Sequence, residues 1–83
     1  MDKIFIEVSL PVINKVFEVY IPLDLKFYEI TFLLSKMVTD LSNGLFIANE
    51  DSMLYERESG KVININMSAR ELKFKNGDKL MML

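Results

Sequence analysis

The sequence predicts an α+β fold in which a mixed sheet of four to five strands lies against one amphipathic helix. Apolar residues alternate with polar ones along most of the first 21 positions, which is the period of a half-buried strand. Between residues 27 and 41 they recur every three or four positions, which is the period of a helix. With 83 residues and a 51% apolar share, the chain is predicted to form a single domain over residues 1–83.

The first strand is predicted over residues 3–9, with Ile4, Ile6 and Val8 on one face. Phe5 lies on the opposite, polar face, where an aromatic ring either packs against a neighbour or contacts a partner. A loop containing Pro11 follows, and residues 15–21 return as a second strand. Pro22 cannot donate a ladder hydrogen bond, so we expect it to close that strand.

One helix is predicted after the second strand, with Asp24 as its N-cap. Residues 42–44, Ser-Asn-Gly, tolerate left-handed backbone and are predicted to end it. Because a domain with one helix needs that helix to build its core, we assign the apolar stripe to the core and not to a membrane or a partner helix. The stripe consists of Phe27, Ile30, Leu34, Met37, Val38 and Leu41.

The middle of the chain gives weaker patterns. Residues 45–47 are apolar and could lie beneath the helix, whereas residues 49–52 are typical of a solvated turn. A third strand is predicted over residues 53–56, a hairpin loop over residues 58–61, and a short strand at residues 62–63.

The last part of the chain contains a capping box, Ser68-Ala69-Arg70-Glu71, which predicts a short helical turn. Leu72 and Phe74 are expected to anchor this turn to the core. Asn76-Gly77 then reverses the chain, and residues 79–83 are predicted to form the final strand of the sheet.

Composition excludes several kinds of function. The chain has no cysteine and no histidine, so thiol chemistry and the common zinc and copper sites are not expected. We therefore predict that it is not an enzyme and uses no metal or cofactor. The net charge of −2, with basic residues scattered along the chain, argues against a nucleic-acid partner. No apolar run approaches the roughly 20 residues needed to cross a bilayer, so direct membrane insertion is not expected either.

The order of elements, ββαβ(β), a short helical turn and β, is that of the β-grasp. The chain resembles the ubiquitin superfamily over nearly its full length, through Lys3–Ile6, the Gly60-Lys61 hairpin and the block from Ser68 to Leu80. Within that superfamily it looks most like the bacterial YukD-like proteins of type VII secretion systems. These share the Asn-Gly-Asp turn and end without diglycine.

The resemblance implies a non-catalytic adaptor or accessory component of a bacterial secretion system. The N-terminus enters a strand pattern instead of a signal sequence, and this, with the lack of a membrane-spanning run, predicts that the chain is cytoplasmic. The expected partner is a larger protein, such as the membrane ATPase of the system or another secretion subunit. The sequence finishes at Leu83 without the Gly-Gly tail that ubiquitin and sulfur carriers use for conjugation. Binding, and not conjugation, is therefore the expected function.

Strand alternation indicates where a partner could bind. If Leu80 and Met82 point toward the helix, then Met81 and Leu83 point outward. In the ubiquitin-like arrangement, the third strand lies beside the last one and places Tyr55 next to them. The resemblance selects the same face, because the corresponding sheet face of ubiquitin is its usual partner-binding surface. The candidate protein-binding residues are Tyr55, Met81, Leu83, Leu10 at the edge of the patch, and Phe5 as a second candidate.

Three alternatives to this interpretation stay open. Scattered exposed apolar residues are normal on monomers, so the patch could have no partner. The domain could instead self-associate as a structural homo-oligomer, through an edge strand or the apolar patch. A sulfur carrier or protein modifier is the third alternative, which the missing diglycine disfavours.

Overall fold

The structure, a computed structural model, describes residues 2–48 and 52–83. Its elements follow the predicted order and confirm a mixed four-stranded sheet with one helix. They are β1 (Lys3–Leu10), a short 3-10 helix (Pro11–Ile13), β2 (Lys15–Pro22), α1 (Phe27–Leu41), β3 (Leu54–Glu56) and β4 (Asp78–Met82).

The strands lie in the order β2-β1-β4-β3. The central strand β1 pairs antiparallel with β2 and parallel with β4, and β3 pairs antiparallel with β4. The predicted strand at residues 62–63 is reduced to one bridge between Val62 and Tyr55. Further along this segment, the Ile65 and Met67 carbonyls accept hydrogen bonds from the first amides of α1.

The core lies between the sheet and one stripe of α1. That stripe contains Phe27, Ile30, Leu34 and Val38, all fully buried. The prediction that Met37 and Leu41 belong to it was wrong, since they are 36% and 50% exposed. A 3.6-residue period places both on the flank of the helix, beyond the line along which it touches the sheet.

The start of α1 also differs from the prediction. Lys26, not Asp24, is the N-cap residue, and no side chain caps this end. The Phe27 and Tyr28 amides donate to the Met67 and Ile65 carbonyls instead, at 2.9 and 3.0 Å. Backbone carbonyls that are distant in sequence therefore accept the hydrogen bonds that a local capping side chain would otherwise accept.

The predicted helix end is confirmed, because Asn43 and Gly44 have φ angles of 54° and 79°. In the following segment, Phe46 is buried as expected, whereas Leu45 and Ile47 are exposed. The solvated turn predicted at residues 49–52 falls largely on residues 49–51, which lie outside the described residues.

The capping box is confirmed atom by atom. The Glu71 amide donates to Ser68 Oγ at 3.1 Å, and the Ser68 amide donates to Glu71 Oε1 at 3.0 Å. The turn that it opens does not extend into a regular helix, because Lys73 adopts a left-handed φ of 61°. Leu72 and Phe74 pack against the core as predicted.

Two ion-pair groups attach this turn to the rest of the domain. Arg70 donates to Asp24 at 2.6 Å and to Asp2 at 3.2 Å, and Lys26 donates to Glu71 at 2.7 Å. The hydrogen bond from Arg70 lowers the pKa of Asp24. The pKa of Glu71 is lowered first by the hydrogen bond from Lys26 and then by the bonds from Ser68.

These shifts predict loss of stability in acid. A carboxylate whose pKa is lowered in the folded state contributes its full stabilisation when the pH is above its ordinary pKa. That ordinary pKa is 3.8 for Asp24 and 4.5 for Glu71. The contribution is lost as the pH falls through the lower, folded-state pKa. We expect the melting temperature to fall below about pH 4.5 and to fall less in Asp24→Asn/Glu71→Gln. A pH series of melting curves checks this, with Glu58→Gln as control. An unchanged acid slope in the double variant would contradict it.

Candidate functional site

The outer face of the sheet, on the side opposite α1, carries an apolar patch at β3 and β4. Tyr55 lies directly opposite Met81 in the ladder between these strands. The inward neighbours of Met81, Leu80 and Met82, are buried, as strand alternation requires. Leu83 follows on the same side as Met81 and is 53% exposed. The sequence argument therefore placed Tyr55, Met81 and Leu83 together correctly.

Met53 is a fourth member of this patch that the sequence analysis missed. Its backbone and that of Leu83 exchange two hydrogen bonds, of 3.1 and 3.2 Å. The Tyr55 hydroxyl donates to Met53 Sδ at 3.8 Å. The signal was present, because Met53 is two positions before Tyr55 and so falls on the same face of an extended strand. Tyr55, Met81, Leu83 and Met53 are called the Tyr55 patch below.

A row of charged side chains borders the Tyr55 patch on the same face. Glu7 lies opposite Lys79 on one side and opposite Glu18 on the other. Arg57 Nη1 is 4.0 Å from Glu7 Oε2. This arrangement limits the patch to one end of the sheet and gives it a polar rim, which is the usual composition of a protein-binding surface.

Phe5 lies beyond this charged row and outside the Tyr55 patch. Its ring centroid is 6.2 Å from that of Tyr20, and a Cβ atom on Gly77 would lie 4.0 Å from its Cζ atom. The Phe5 backbone also holds the turn before β4, because its amide donates to Asn76 Oδ1 and its carbonyl accepts from the Gly77 amide, both at 2.9 Å. The backbone of Phe5 therefore has a local structural role. Its ring is half-buried, and only the exposed part of that ring is accessible to a partner.

The prediction for Leu10 was wrong. It was expected at the edge of the exposed patch, but it ends β1 and is fully buried in the core. The alternation of Ile4, Ile6 and Val8 continues through Leu10, and Pro11 begins the next element. The strand is one residue longer than predicted, so Leu10 points toward α1 and is unavailable to a partner.

A second apolar surface lies on the outward side of α1, where Tyr28, Phe32 and Leu33 are exposed. Between the helix and the residues Ile47, Ala48 and Ser52 is a groove of about 630 Å³. The groove is lined in part by Thr31, Ser35 and Thr39. The hydroxyl of each donates its one hydrogen bond to the carbonyl four residues earlier, so it has no hydrogen left to donate to a molecule in the groove. The sequence analysis assigned only the core stripe of α1 and made no prediction for Tyr28, Phe32 and Leu33.

The described residues contain no cluster of acidic side chains suited to a metal ion. Within the same part of the chain, no helix has both the length and the apolar character needed to cross a bilayer. The outer sheet face carries an apolar area with a charged border.

No protein-family model and no curated protein matches the chain, so the comparison rests on solved structures. One is the EccD5 ubiquitin-like domain from Mycobacterium xenopi, with a TM-score of 0.83, 17% identity, and coverage of 100% of this chain and 94% of that one. The chain has a ubiquitin-like fold. The ubiquitin-like domain of the Mycobacterium tuberculosis type VII secretion protein ECCD1 matches with a TM-score of 0.79, 10% identity, and coverage of 100% and 99%.

This ubiquitin-like chain also matches part of a longer protein in a structure described as the MycP5-free ESX-5 inner membrane complex. The TM-score is 0.82 at 17% identity, and the match covers all of this chain but 21% of the other. The predicted resemblance to ubiquitin-like proteins of type VII secretion systems is thus confirmed for the fold.

Proposed function

We propose that this ubiquitin-like domain is a non-catalytic, non-conjugated protein-interaction module of a bacterial type VII secretion system. It acts there as a cytoplasmic adaptor or accessory component. The observation that carries the proposal is the Tyr55 patch, an apolar area with a charged rim on the sheet face. The structural likeness to ubiquitin-like domains from proteins of such systems supports the choice of apparatus.

The chemistry of the Tyr55 patch suits recognition of a protein. Tyr55 supplies a large ring with few rotatable bonds, so little side-chain entropy is lost when it is buried by a partner. Met53 and Met81 are flexible thioethers that adapt to the shape of the opposing surface. The row containing Glu7 and Lys79 can orient the partner, because rim charges contribute more to steering and register than to affinity.

The partner that we propose is a larger secretion subunit, such as the membrane ATPase of the system. One matched structure is described as an inner membrane complex, which supports a partner at the membrane without requiring this chain to enter it. Self-association through the Tyr55 patch is the competing function, because the same apolar surface could bury itself in a homodimer.

Affinity capture from a detergent lysate of the native cell tests this proposal. The wild-type chain is compared with Tyr55→Asp/Met81→Asp, which puts two charges into the Tyr55 patch. We expect the variant to keep a native circular dichroism spectrum and to lose at least about tenfold in recovery of the ATPase or another secretion subunit, because charges are poorly tolerated at the centre of an apolar interface. Retained proteins are identified by mass spectrometry.

The matched control is Tyr28→Asp/Leu45→Asp, which adds the same number of charges at exposed apolar positions outside the Tyr55 patch. Recovery of the secretion subunit should be unaffected in this control. Equal capture by wild type and the Tyr55→Asp/Met81→Asp variant would exclude the Tyr55 patch. Capture of the same chain alone, together with dimers in sedimentation, would favour the homo-oligomer. An intact-mass search for a thiocarboxylate or an isopeptide adduct tests the modifier alternative.

A further inference from the structure

The side of α1 that faces away from the sheet has large apolar residues at its centre. Phe32 lies almost opposite the buried stripe of the helix and is 60% exposed, and Leu33 beside it is 43% exposed. In an amphipathic helix, the positions opposite the core are normally polar. Two apolar side chains therefore lie where this helix is most open to solvent.

Two opposite charges flank this apolar pair on the same side of the helix. Glu29 lies about one turn before Phe32, and Lys36 lies about one turn after Leu33. Glu29 and Lys36 are close to two full turns apart, so they face the same way but are separated by roughly 10 Å along the helix axis. Both are exposed, and no ion pair involves either of them among the described residues.

A second copy of the chain supplies the matching pattern when its α1 runs antiparallel to this one. With a two-fold axis between Phe32 and Leu33, each Glu29 lies opposite the partner's Lys36, and two ion pairs flank an apolar centre. Asp40, one turn beyond Lys36, then lies near the first turn of the partner helix, where the helix dipole favours an anion. A parallel pair would set like charges against each other, so the charges favour the antiparallel arrangement.

The surface beside Glu29 also fits this arrangement. It forms a shallow hollow of about 570 Å³ that is lined by Leu25, Tyr28, Glu29, Phe32 and Leu33. The only charged side chain in that lining is Glu29. A lysine suits such a hollow, because its aliphatic stem packs against apolar walls while its ammonium reaches the carboxylate. In the antiparallel pair, the partner's Lys36 lies over this hollow.

We propose that two copies of this chain form an antiparallel dimer through α1, with Glu29 of each copy paired to Lys36 of the other. A contact limited to one helix of 15 residues is small beside the roughly 1,200–2,000 Å² of stable interfaces, so the dimer is weak. The Tyr55 patch lies on the opposite side of the sheet and stays free in both copies. The dimer can therefore hold two secretion subunits, a consequence that rests on the function proposed above.

Sedimentation equilibrium of the purified chain from about 10 µM to 1 mM tests the contact. We expect monomer at the lowest concentration and a dimer fraction that rises with concentration. In ¹⁵N NMR spectra over the same range, the amides of Phe32, Leu33 and Lys36 should shift, whereas those of Tyr55 and Met81 should not.

Reversal of single charges tests the pairing itself. Glu29→Lys and Lys36→Glu each replace the two ion pairs by two like-charge contacts, so each variant alone should dimerise at least about tenfold more weakly. An equal mixture of the two variants restores both opposite-charge contacts and should form a heterodimer. The double variant Glu29→Lys/Lys36→Glu should dimerise about as well as the wild type. Both positions are exposed, and circular dichroism shows that each variant is folded.

The matched controls are Glu58→Lys and Lys61→Glu, which reverse the same charges at exposed positions in and after the turn that follows β3. Each should dimerise as the wild type does. Weakening by these controls equal to that by the α1 variants would show an effect of net charge alone and would overturn the proposal.

Three further outcomes would overturn it. The first is a chain that remains monomeric at about 1 mM. The second is a mixture of Glu29→Lys and Lys36→Glu that does not associate. The third is a dimer that is lost in Tyr55→Asp/Met81→Asp, which would place self-association on the Tyr55 patch. Because the purified chain is the only component, these results do not depend on whether a secretion subunit is captured.

Discussion

Phe27→Ala is expected to destabilise the domain more than any other change considered, by about 3–5 kcal/mol in the free energy of unfolding. Phe27 is the first residue of α1 and is fully buried. Its ring centroid is 5.3 Å from that of Phe74, so it joins the helix to the turn that follows the capping box. Removing the ring loses buried apolar area and leaves a cavity where the two segments meet. Since the total free energy of unfolding of a small domain is about 5–15 kcal/mol, the variant should be partly unfolded at 37 °C.

Phe32→Ala is the matched control, because it makes the same change five residues further along α1 at a position that is 60% exposed. Lys36 Nζ lies 4.5 Å from the centroid of the Phe32 ring. The control removes this cation–π contact, so its free energy of unfolding should fall by about 0.5–1 kcal/mol. Urea denaturation of both variants gives the comparison. Losses of equal size would mean that Phe27 does not have the buried position described here.

Gly77→Val is expected to cost about 2 kcal/mol, which corresponds to a fall of roughly 8–16 °C in melting temperature for a domain of this size. Gly77 has a φ of 88°, which β-branched residues rarely adopt. It lies in the turn closed by the Asp78 amide and the Lys75 carbonyl at 3.0 Å. Strain there also disturbs β4, whose pairing with β1 begins at Asp78.

Gly77→Asn is the control for backbone conformation, because asparagine tolerates positive φ better than other residues with a Cβ atom. The Cβ atom itself fits, since the nearest non-neighbouring atom, Phe5 Cζ, would be 4.0 Å away. The asparagine variant should therefore lose clearly less stability than the valine variant. Thermal unfolding by circular dichroism measures both, and a valine variant that melts like the wild type would remove the turn assignment.

Most of the fold could be predicted because its signals are local. Strand alternation around Ile6, the capping box at Ser68 and the turn at Gly77 each depend on residues close together in sequence, and all three are present in the structure. The N-cap prediction failed for the opposite reason. The carbonyls that satisfy the start of α1 come from Ile65 and Met67, and no local pattern near Asp24 reports on them.

The candidate site was predictable in part. Alternation indicated that Met81 and Leu83 point outward, but placing Tyr55 beside them required the neighbour relation of β3 and β4, which came from the resemblance. The separation of Phe5 from the Tyr55 patch depends on the register between β1 and β4. A register across distant segments depends on tertiary contacts, so the sequence pattern of each strand cannot supply it.

The parallel pairing of β1 with β4 has a consequence for how the chain acquires its structure. Ile6 pairs with Asp78, so the central strand gains its second neighbour only after nearly every intervening residue has been synthesised. During translation, β1, β2 and α1 can associate early, but β1 then exposes one unpaired edge beside the ribosome. Contacts this distant in sequence close slowly, since the entropy of the long loop is lost before the pairing is gained. The interval before β4 emerges is therefore when the open edge of β1 is exposed to pairing with another chain.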